Sequence, residues 1–325
     1  MLTADVRAFY GIEKDWALAG FFETEWHRQM MADLRAAILA GRLVAITGSV
    51  GVGKTMMLNR LQAELAASKD ILVARSLSID KPRVVLPALL TAIFLDVSGD
   101  ADVKVPTQPE KRERKLQDLI RKMRKTVVLF IDEAHDLHGN TLTGLKRLME
   151  IVQAGDGVLS VVLVGHPRLR NDLNKATMEE IGHRTTKFVF QGLGDDSRKY
   201  LDWLLKQCRA QKTTRQGDII ADDALDLMVE CLSTPLQFTE QLTRAFTEAY
   251  KLGAKPVTRE IVEETIAIGY DDLDARLARL GYNAKTLAEQ FDTRLPEMRK
   301  FLKGHLDSER TQELGQMMRQ VGLPI

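Results

Sequence analysis

The stretch that decides the fold of this chain is Gly48-Ser49-Val50-Gly51-Val52-Gly53-Lys54-Thr55. Its spacing is that of a phosphate-binding loop, in which a glycine is followed, after four residues, by glycine, lysine and a hydroxyl residue. An apolar run at 43–47 precedes the loop, and an amphipathic segment at 55–65 follows it. These patterns predict a strand and a helix, which is the context that the loop requires.

Each residue type in the loop suits a triphosphate. Glycines let consecutive backbone N–H groups turn toward a phosphate, and the positive end of the following helix dipole attracts the same negative charge. Lys54 is predicted to reach the β and γ phosphates, and the Thr55 hydroxyl to bind Mg²⁺. ATP and Mg²⁺ are therefore the expected ligands. The alternative is an accidental glycine turn, against which the flanking strand and helix argue.

Two carboxylates come directly after a second apolar run. The run at 127–131 is followed by Asp132 and Glu133, and a parallel sheet delivers such residues to the edge that carries the phosphate loop. Asp132 is predicted to join the nucleotide site by holding Mg²⁺, and Glu133 to orient and polarise the water that attacks the γ phosphate. The alternative is that both acids cap the N-terminus of a helix.

The same acids begin the sequence Asp132-Glu133-Ala134-His135, which is the signature of a helicase class. Such helicases need a second sheet-containing lobe with its own arginine-rich motif. Beyond Gly194 the chain shows only helical periodicity, so the helicase interpretation fails. His135 is then predicted to make a local polar contact rather than to act in catalysis.

Strands and helices alternate as far as Gly194. Strands are predicted at 43–47, 71–74, 127–131 and 158–164, and helices in the same region at 25–39, 55–65, 84–95, 111–124 and 142–152. This alternation predicts a mostly parallel sheet covered on both faces. Beyond Gly194, helices are expected at 197–211, 222–231, 239–252 and 259–268, followed from Asp271 by short helices broken at 281–283, at 292–294 and at Gly304.

The composition is that of an ordinary globular protein. Of the 325 residues, 45% are hydrophobic and 28% are charged, which excludes wholesale disorder and a disulfide scaffold. Because the net charge is +1, affinity for nucleic acid must come from local charge placement.

The longest apolar runs are strand-sized, and the N-terminus lacks a signal-peptide pattern. We expect a cytoplasmic protein without a membrane span, in which Cys208 and Cys231 are buried free thiols.

With these motifs the chain resembles the AAA+ ATPases. It is most similar to the branch that holds the transposition regulators TnsC, TniB, MuB and IstB together with the secretion ATPase ExeA, over about residues 21–268. In that branch the third core strand ends in a glycine, a polar residue and a proline, as Val164-Gly165-His166-Pro167-Arg168-Leu169 does here. The resemblance implies that His166 senses the γ phosphate. The alternative is a histidine that caps the turn.

The segment at 181–188 is similar to the one from which AAA+ proteins present an arginine finger to a neighbouring subunit. The resemblance assigns this role to Arg184, which would stabilise the charge on the transferred phosphoryl group and make hydrolysis depend on assembly. A surface arginine in a solvated ion pair is the alternative. The chain departs from the family at Ser233-Thr234-Pro235-Leu236-Gln237, where relatives often carry a second sensor arginine. Arg244 is a candidate substitute.

Residues 283–303 resemble a helix-turn-helix. Between 276 and 306, seven basic residues stand against three acids, hence a local charge of +4, which favours phosphate. Asp292 replaces the usual glycine of the turn and tolerates a left-handed backbone. A helical protein-docking module has the same pattern and stays open as the alternative. The predicted core consists of Leu287, Ala288, Phe291, Met298, Phe301 and Leu302.

A second basic cluster precedes the strand at 127–131. The resemblance to ATPases that assemble around duplex DNA implies that this cluster, together with Lys104, lines a DNA channel. A solvated helix face is the simpler alternative. The cluster consists of Lys111, Arg112, Arg114, Lys115, Arg121, Lys122, Arg124 and Lys125.

Together these features predict an α/β protein with a three-layer P-loop AAA+ core, a helical lid and a small C-terminal helix-turn-helix-like unit. The expected divisions are an N-terminal helical segment at 1–40, the core at 41–195, the lid at 196–270 and the C-terminal unit at 271–325. The expected function is that of an ATPase that regulates DNA transposition, forming a ring or helical filament of identical subunits on double-stranded DNA and recruiting or activating a transposase. The alternatives are an ExeA-like ATPase that remodels a secretion or envelope complex, and a nucleotide switch of the signalling type.

Overall fold

The structure, a computed structural model, describes residues 1–75, 86–98, 105–175, 178–210, 215–266, 273–303, 305–320 and 323. The chain forms two compact units. The sheet unit holds Glu25–Gly48 and Lys54–Phe190, and the helical unit holds Met1–Thr24, Ser49–Gly53 and Gln191–Ile325. The segment predicted at 1–40 is thus divided between the units, because residues 25–39 form a helix that packs against the sheet.

A five-stranded parallel sheet forms the centre of the sheet unit. The order of its strands is β2-β3-β4-β1-β5, and Thr47 lies opposite Gly165 while Ile131 lies opposite Leu163. Because the strands are parallel, the carboxyl ends of β1, β3 and β4 lie at one edge of the sheet. The strands are β1 (Leu43–Gly48), β2 (Ile71–Arg75), β3 (Thr126–Ile131), β4 (Val158–Gly165) and β5 (Thr185–Phe190).

Helices cover both faces of this sheet. Successive side chains of a strand point to opposite faces, and in β3 both Val128 and its neighbour Leu129 are fully buried. The predicted covered parallel sheet is confirmed. The covering helices are α2 (Glu25–Leu39), α3 (Lys54–Ala66), α4 (Leu86–Ser98), α5 (Pro109–Met123), α6 (Gly139–Ala154), α7 (Pro167–Leu173) and α8 (Glu179–Arg184).

Strand β5 is absent from the sequence-based predictions. Among the described residues it is an edge strand whose one partner is β1. Its two end residues are buried, the four between them alternate between intermediate and exposed, and three of its residues, Thr185, Thr186 and Lys187, are polar. An edge strand with one solvated face lacks the continuous apolar run by which the other strands were recognised.

The helical unit contains α1 (Ala4–Tyr10), α9 (Ser197–Cys208), α10 (Asp222–Cys231), α11 (Pro235–Lys251) and α12 (Arg259–Ile266), which share one buried apolar cluster. Tyr10 ties the N-terminus to this cluster. Its hydroxyl donates to the Ala254 carbonyl at 2.8 Å, and its ring centroid lies 4.8 Å from that of Phe246. Residues 1–24 therefore belong to the core of these helices.

Four short helices follow, namely α13 (Leu273–Arg279), α14 (Ala284–Gln290), α15 (Leu295–Leu302) and α16 (Ser308–Gln320). All six residues predicted to form a small core lie in one buried cluster, together with residues of α13 and α16. Asp292, between α14 and α15, has φ 48°, the left-handed conformation expected of it. The break predicted at Gly304 falls on a residue outside the described ones.

The prediction for the cysteines is half wrong. Cys208 is buried, and burial raises the pKa of its thiol to about 11. Cys231 is exposed, because α10 ends at this residue and Leu232 takes the next buried place. Both are free thiols.

The longest described helices are α11 with 17 residues and α6 with 16, and both carry charged side chains. Within the described ranges, no helix combines the length and the apolar character needed to span a bilayer.

Candidate nucleotide site

The phosphate loop leaves the buried end of β1 at Gly48 and leads into α3. Gly51 has φ 84° and Gly53 has φ 101°, values that side-chain-bearing residues rarely adopt, so glycine is needed at both positions. Lys54 is the first residue of α3, and its Nζ donates to the Gly48 carbonyl at 2.9 Å. Thr55, in the first turn, is exposed. The loop therefore has the backbone conformation, the cation and the accessible hydroxyl that a magnesium-bound triphosphate needs.

Residues Ser49–Gly53 pack within the helical unit, where Val52 is buried and Val50 is partly exposed. The Leu236 amide donates to the Gly51 carbonyl at 3.2 Å, and a Cβ on Gly51 would lie 2.5 Å from Leu236 Cβ. The turn at 233–237, where relatives often carry an arginine, thus contacts the loop through the backbone amide and the side chain of Leu236. Arg244 is exposed and lies about 12 Å further along the helix axis.

Asp132 and Glu133 follow β3 at the edge of the sheet that β1 shares. Asp132 is exposed, and its Oδ1 accepts a hydrogen bond from the Glu133 amide at 2.8 Å. Glu133 has φ 53°, a left-handed conformation that is costly for a residue with a side chain. Burial lowers the pKa of Lys54, and the charges of Glu133 and Asp132 act in the opposite direction. The lysine and both acids are therefore electrostatic neighbours, as the motifs predict.

His166 follows β4, the strand between β1 and β3. It is thus placed between the carboxyl ends of β1 and β3, and its Nε2 lies 3.6 Å from Glu133 Oε2. Burial, with smaller contributions from His135 and Lys54, lowers the pKa of His166 to about 4. The imidazole is neutral at physiological pH and can donate a hydrogen bond to a phosphate oxygen. Its side chain makes no capping hydrogen bond to α7, which argues against the capping alternative.

His135 contacts the site more closely than the sequence predicted. Its Nδ1 lies 3.3 Å from Glu133 Oε2, and its ring centroid lies 4.3 Å from that of His166. A Cβ on Gly165 would lie only 3.3 Å from the His135 amide nitrogen, so the glycine at the end of β4 leaves room for this turn. In the sequence, the one indication of this contact is that His135 follows Glu133 by two residues.

Arg184 lies at the other end of the sheet. The next residue, Thr185, pairs with Leu43 at the start of β1, so about 17 Å of strand separates the level of Arg184 from that of Gly48. Its side chain is 61% exposed, and its Nη1 lies 2.6 Å from Glu150 Oε1. Arg184 cannot reach the phosphate loop of its own chain. The cleft around it is lined by Gly41, Arg42, Glu150, Gly157 and His183.

Both predicted basic surfaces are largely exposed. On α5, the apolar residues Leu116 and Ile120 are buried, and Arg121 pairs with Asp118, so the solvated helix face stays open as an alternative to a DNA channel. Lys104 lies outside the described residues. The exposed basic residues of the C-terminal helices are Lys285, Arg294, Arg299, Lys300 and Lys303.

Residues 39–173 match the family model described as AAA domain. This match and the parallel sheet with its phosphate loop show the P-loop fold of the AAA+ class. Residues 39–173 therefore have the fold of an AAA domain, and nucleotide binding and hydrolysis are the general chemistry of that class.

Over 173 residues the chain is 28% identical to General secretion pathway protein A of Aeromonas hydrophila, a match that covers 51% of this chain and 30% of that relative. Similar solved structures include ORC2 of Aeropyrum pernix in its ADPNP–ADP complexes, with a TM-score of 0.56 and 13% identity, covering 96% of this chain and 91% of that one. Cdc6p of Pyrobaculum aerophilum has a TM-score of 0.57 and 16% identity, covering 95% and 90%. Drosophila ORC bound to DNA has a TM-score of 0.51 and 15% identity, covering 98% and 79%. These structures share the fold of this chain.

Proposed function

We propose that this protein hydrolyses ATP to ADP and phosphate and uses that cycle to regulate DNA transposition in the cytoplasm. In the ATP-bound state it assembles as a homo-oligomer on duplex DNA and recruits or activates a transposase, and hydrolysis dismantles the assembly. The observation that carries the DNA-binding part is the exposed positive surface of α14 and α15. The transposase part rests on the resemblance to the transposition regulators.

In the proposed ATPase, each residue of the nucleotide site has a distinct role. Lys54 and the loop amides bind the phosphates, while Thr55 and Asp132 supply the oxygen ligands for Mg²⁺, which neutralises charge on the phosphates when bound. Glu133 accepts a proton from the attacking water. Neutral His166 donates a hydrogen bond toward the γ phosphate from the end of β4, the strand between β1 and β3.

The C-terminal helices support a contact with phosphates. Glu297, one of the three acids counted there, is neutralised by Arg310, whose Nε lies 2.7 Å from Glu297 Oε1. Among the residues that the structure describes, Arg299, Lys300 and Lys303 form no ion pair, so their charge is available to a ligand. The fold is compatible with this role, since the similar Drosophila ORC was solved bound to DNA.

Duplex DNA and a non-hydrolysable ATP analogue together should convert the wild-type protein into a larger assembly, detected by sedimentation velocity and electron microscopy. A variant with Arg299→Glu and Lys300→Glu should bind DNA more weakly, and the slope of log affinity against log salt should fall by about two, because each lost phosphate contact removes about 0.9. The matched comparison is Lys122→Glu on α5 with Lys125→Glu between α5 and β3, which tests the channel hypothesis. Absence of a DNA-dependent assembly contradicts the proposal.

Arg184→Ala should leave ATP binding by the monomer unchanged and remove assembly-stimulated hydrolysis, with a decrease of about 10³-fold as for other arginine fingers supplied in trans. The reason is the position of Arg184. It lies too far from the phosphate loop of its own chain, and its exposed side chain is accessible to a second copy of the protein. Loss of the exposed pair with Glu150 costs the fold less than about 1 kcal/mol. Phosphate release at increasing protein concentration measures the effect.

Glu150→Gln is the matched control, because it removes the partner of Arg184 and keeps the arginine. Stimulated hydrolysis should survive in this variant. If Arg184→Ala retains full stimulation, the arginine finger lies elsewhere in the chain.

The second candidate is an ATPase that remodels a secretion or envelope complex. It is favoured by the 28% identity to General secretion pathway protein A, although the match covers 30% of that relative. This candidate predicts ATP hydrolysis that is indifferent to DNA and a C-terminal unit that docks onto protein. The assembly experiment on DNA separates the two.

A further inference from the structure

We propose that Glu133, His135 and His166 form a binding site for a divalent transition-metal ion of the Zn²⁺ class, and that an ion bound there inhibits hydrolysis by occupying Glu133. The binding part concerns these three side chains alone. The inhibitory part rests on the proposed ATPase function.

The distances between the potential ligand atoms suit one ion. Glu133 Oε2 lies 3.3 Å from His135 Nδ1 and 3.6 Å from His166 Nε2, and one ligand atom from each residue lies within 4.8 Å of the others. In a tetrahedral zinc site with bonds of about 2.0–2.1 Å, neighbouring ligand atoms are about 3.3–3.4 Å apart. The two distances from Glu133 Oε2 to the histidine nitrogens are therefore close to those of a tetrahedral site, without a large movement of any side chain.

The surroundings hold the two imidazoles in place and leave the carboxylate accessible. The side chains of His135 and His166 are 10% and 16% exposed, whereas that of Glu133 is 41% exposed. Gly165 lies against the His135 ring, where a Cβ would be 3.4 Å from Nδ1. Asp136 Oδ1 lies 3.7 Å from His135 Nε2, beyond hydrogen-bond distance but near enough for its negative charge to favour a metal-bound imidazole. The accessible side offers room for a fourth ligand such as water.

The donor set selects the kind of ion. Two imidazole nitrogens and one carboxylate suit Zn²⁺ and the neighbouring transition metals, whereas Mg²⁺ prefers oxygen ligands only. The ion proposed here therefore differs from the Mg²⁺ that accompanies ATP at Thr55 and Asp132. It shares no ligand with that site.

Occupation of Glu133 has a direct chemical consequence. A carboxylate oxygen that donates its lone pair to a metal ion is a weaker base toward water, so proton transfer from the attacking water is suppressed. The phosphate loop, Lys54, Thr55 and Asp132 contribute no ligand to the ion, so nucleotide binding should continue with the loss of the His166 hydrogen bond alone. The result is an enzyme that retains ATP and does not turn over.

Metal binding is tested on the full chain without a histidine tag and without nucleotide. Zn²⁺ titrated in a calorimeter should bind with one-to-one stoichiometry, and Co²⁺ should develop the visible absorbance of a tetrahedral site. His135→Ala and His166→Ala should each weaken Zn²⁺ binding by about 100-fold or more. His183→Ala, which removes an exposed histidine of the same unit, should bind Zn²⁺ as the wild type does. Circular dichroism checks that each variant is folded.

A second measurement separates this inference from the proposed function. Zn²⁺ should inhibit wild-type hydrolysis at saturating Mg²⁺ and ATP without displacing a fluorescent ATP analogue, and the residual hydrolysis of His135→Ala should be insensitive to the same Zn²⁺ concentration. Absence of one-to-one Zn²⁺ uptake by folded wild type, or equal uptake by wild type and both histidine variants, overturns the metal site even if ATP is hydrolysed. Zn²⁺ uptake by a protein that does not bind ATP supports the site and refutes the ATPase proposal.

Discussion

Lys54→Ala is expected to lose ATP binding, with an affinity lower by about 100-fold or more. The Lys54 ammonium donates to the Gly48 carbonyl at 2.9 Å, so it is held beside the first residue of the loop. The carboxylates of Asp132 and Glu133 favour its charged form against the effect of burial. Each charge-assisted hydrogen bond to a phosphate is worth about 1.5–3 kcal/mol, so loss of two of them accounts for the decrease.

Calorimetry with ATP and Mg²⁺ measures this change. Alanine is a good helix former, so α3 should keep its first turn and the variant should fold. Lys69→Ala is the matched control, because Lys69 is an exposed lysine that follows α3. If Lys54→Ala binds ATP as tightly as the wild type does, the loop is not the nucleotide site.

Glu133→Gln is expected to keep ATP affinity while turnover falls by about 10²–10⁴-fold, the contribution of a general base. Glutamine has the same shape as glutamate, so the left-handed turn at this residue is preserved. Because the amide cannot accept the proton of the attacking water, ATP stays bound and the assembled state persists.

Phosphate release and the binding of a fluorescent ATP analogue measure turnover and affinity separately. Glu64→Gln on α3 makes the same change of charge at an exposed residue and should turn over normally. Wild-type turnover in Glu133→Gln would show that another group activates the water. Loss of ATP binding in this variant would show that Glu133 has a structural role.

Local periodicity was sufficient for most elements of the sheet unit. The predicted helices at 25–39 and 222–231 agree with α2 and α10, and the four predicted strands agree with β1 to β4 to within one residue at each end. Amphipathic helices and buried strands carry their pattern in consecutive residues. Periodicity does not reveal the edge strand β5, because only its two end residues are buried and three of its six residues are polar. It also does not give the exposure of Cys231, because the apolar face of a helix does not show where the helix ends.

For the nucleotide site, the amino-acid sequence alone determined the loop with Lys54 and the two carboxylates, because each is a short pattern of adjacent residues with a defined chemistry. Only the tertiary structure decided that His135 and His166, which lie beyond the ends of β3 and β4, meet at Glu133. It also decided that Arg184 stands at the opposite end of the sheet from its own loop. Such placements depend on the order and register of strands that are distant in the chain, and no periodicity within a segment encodes that order.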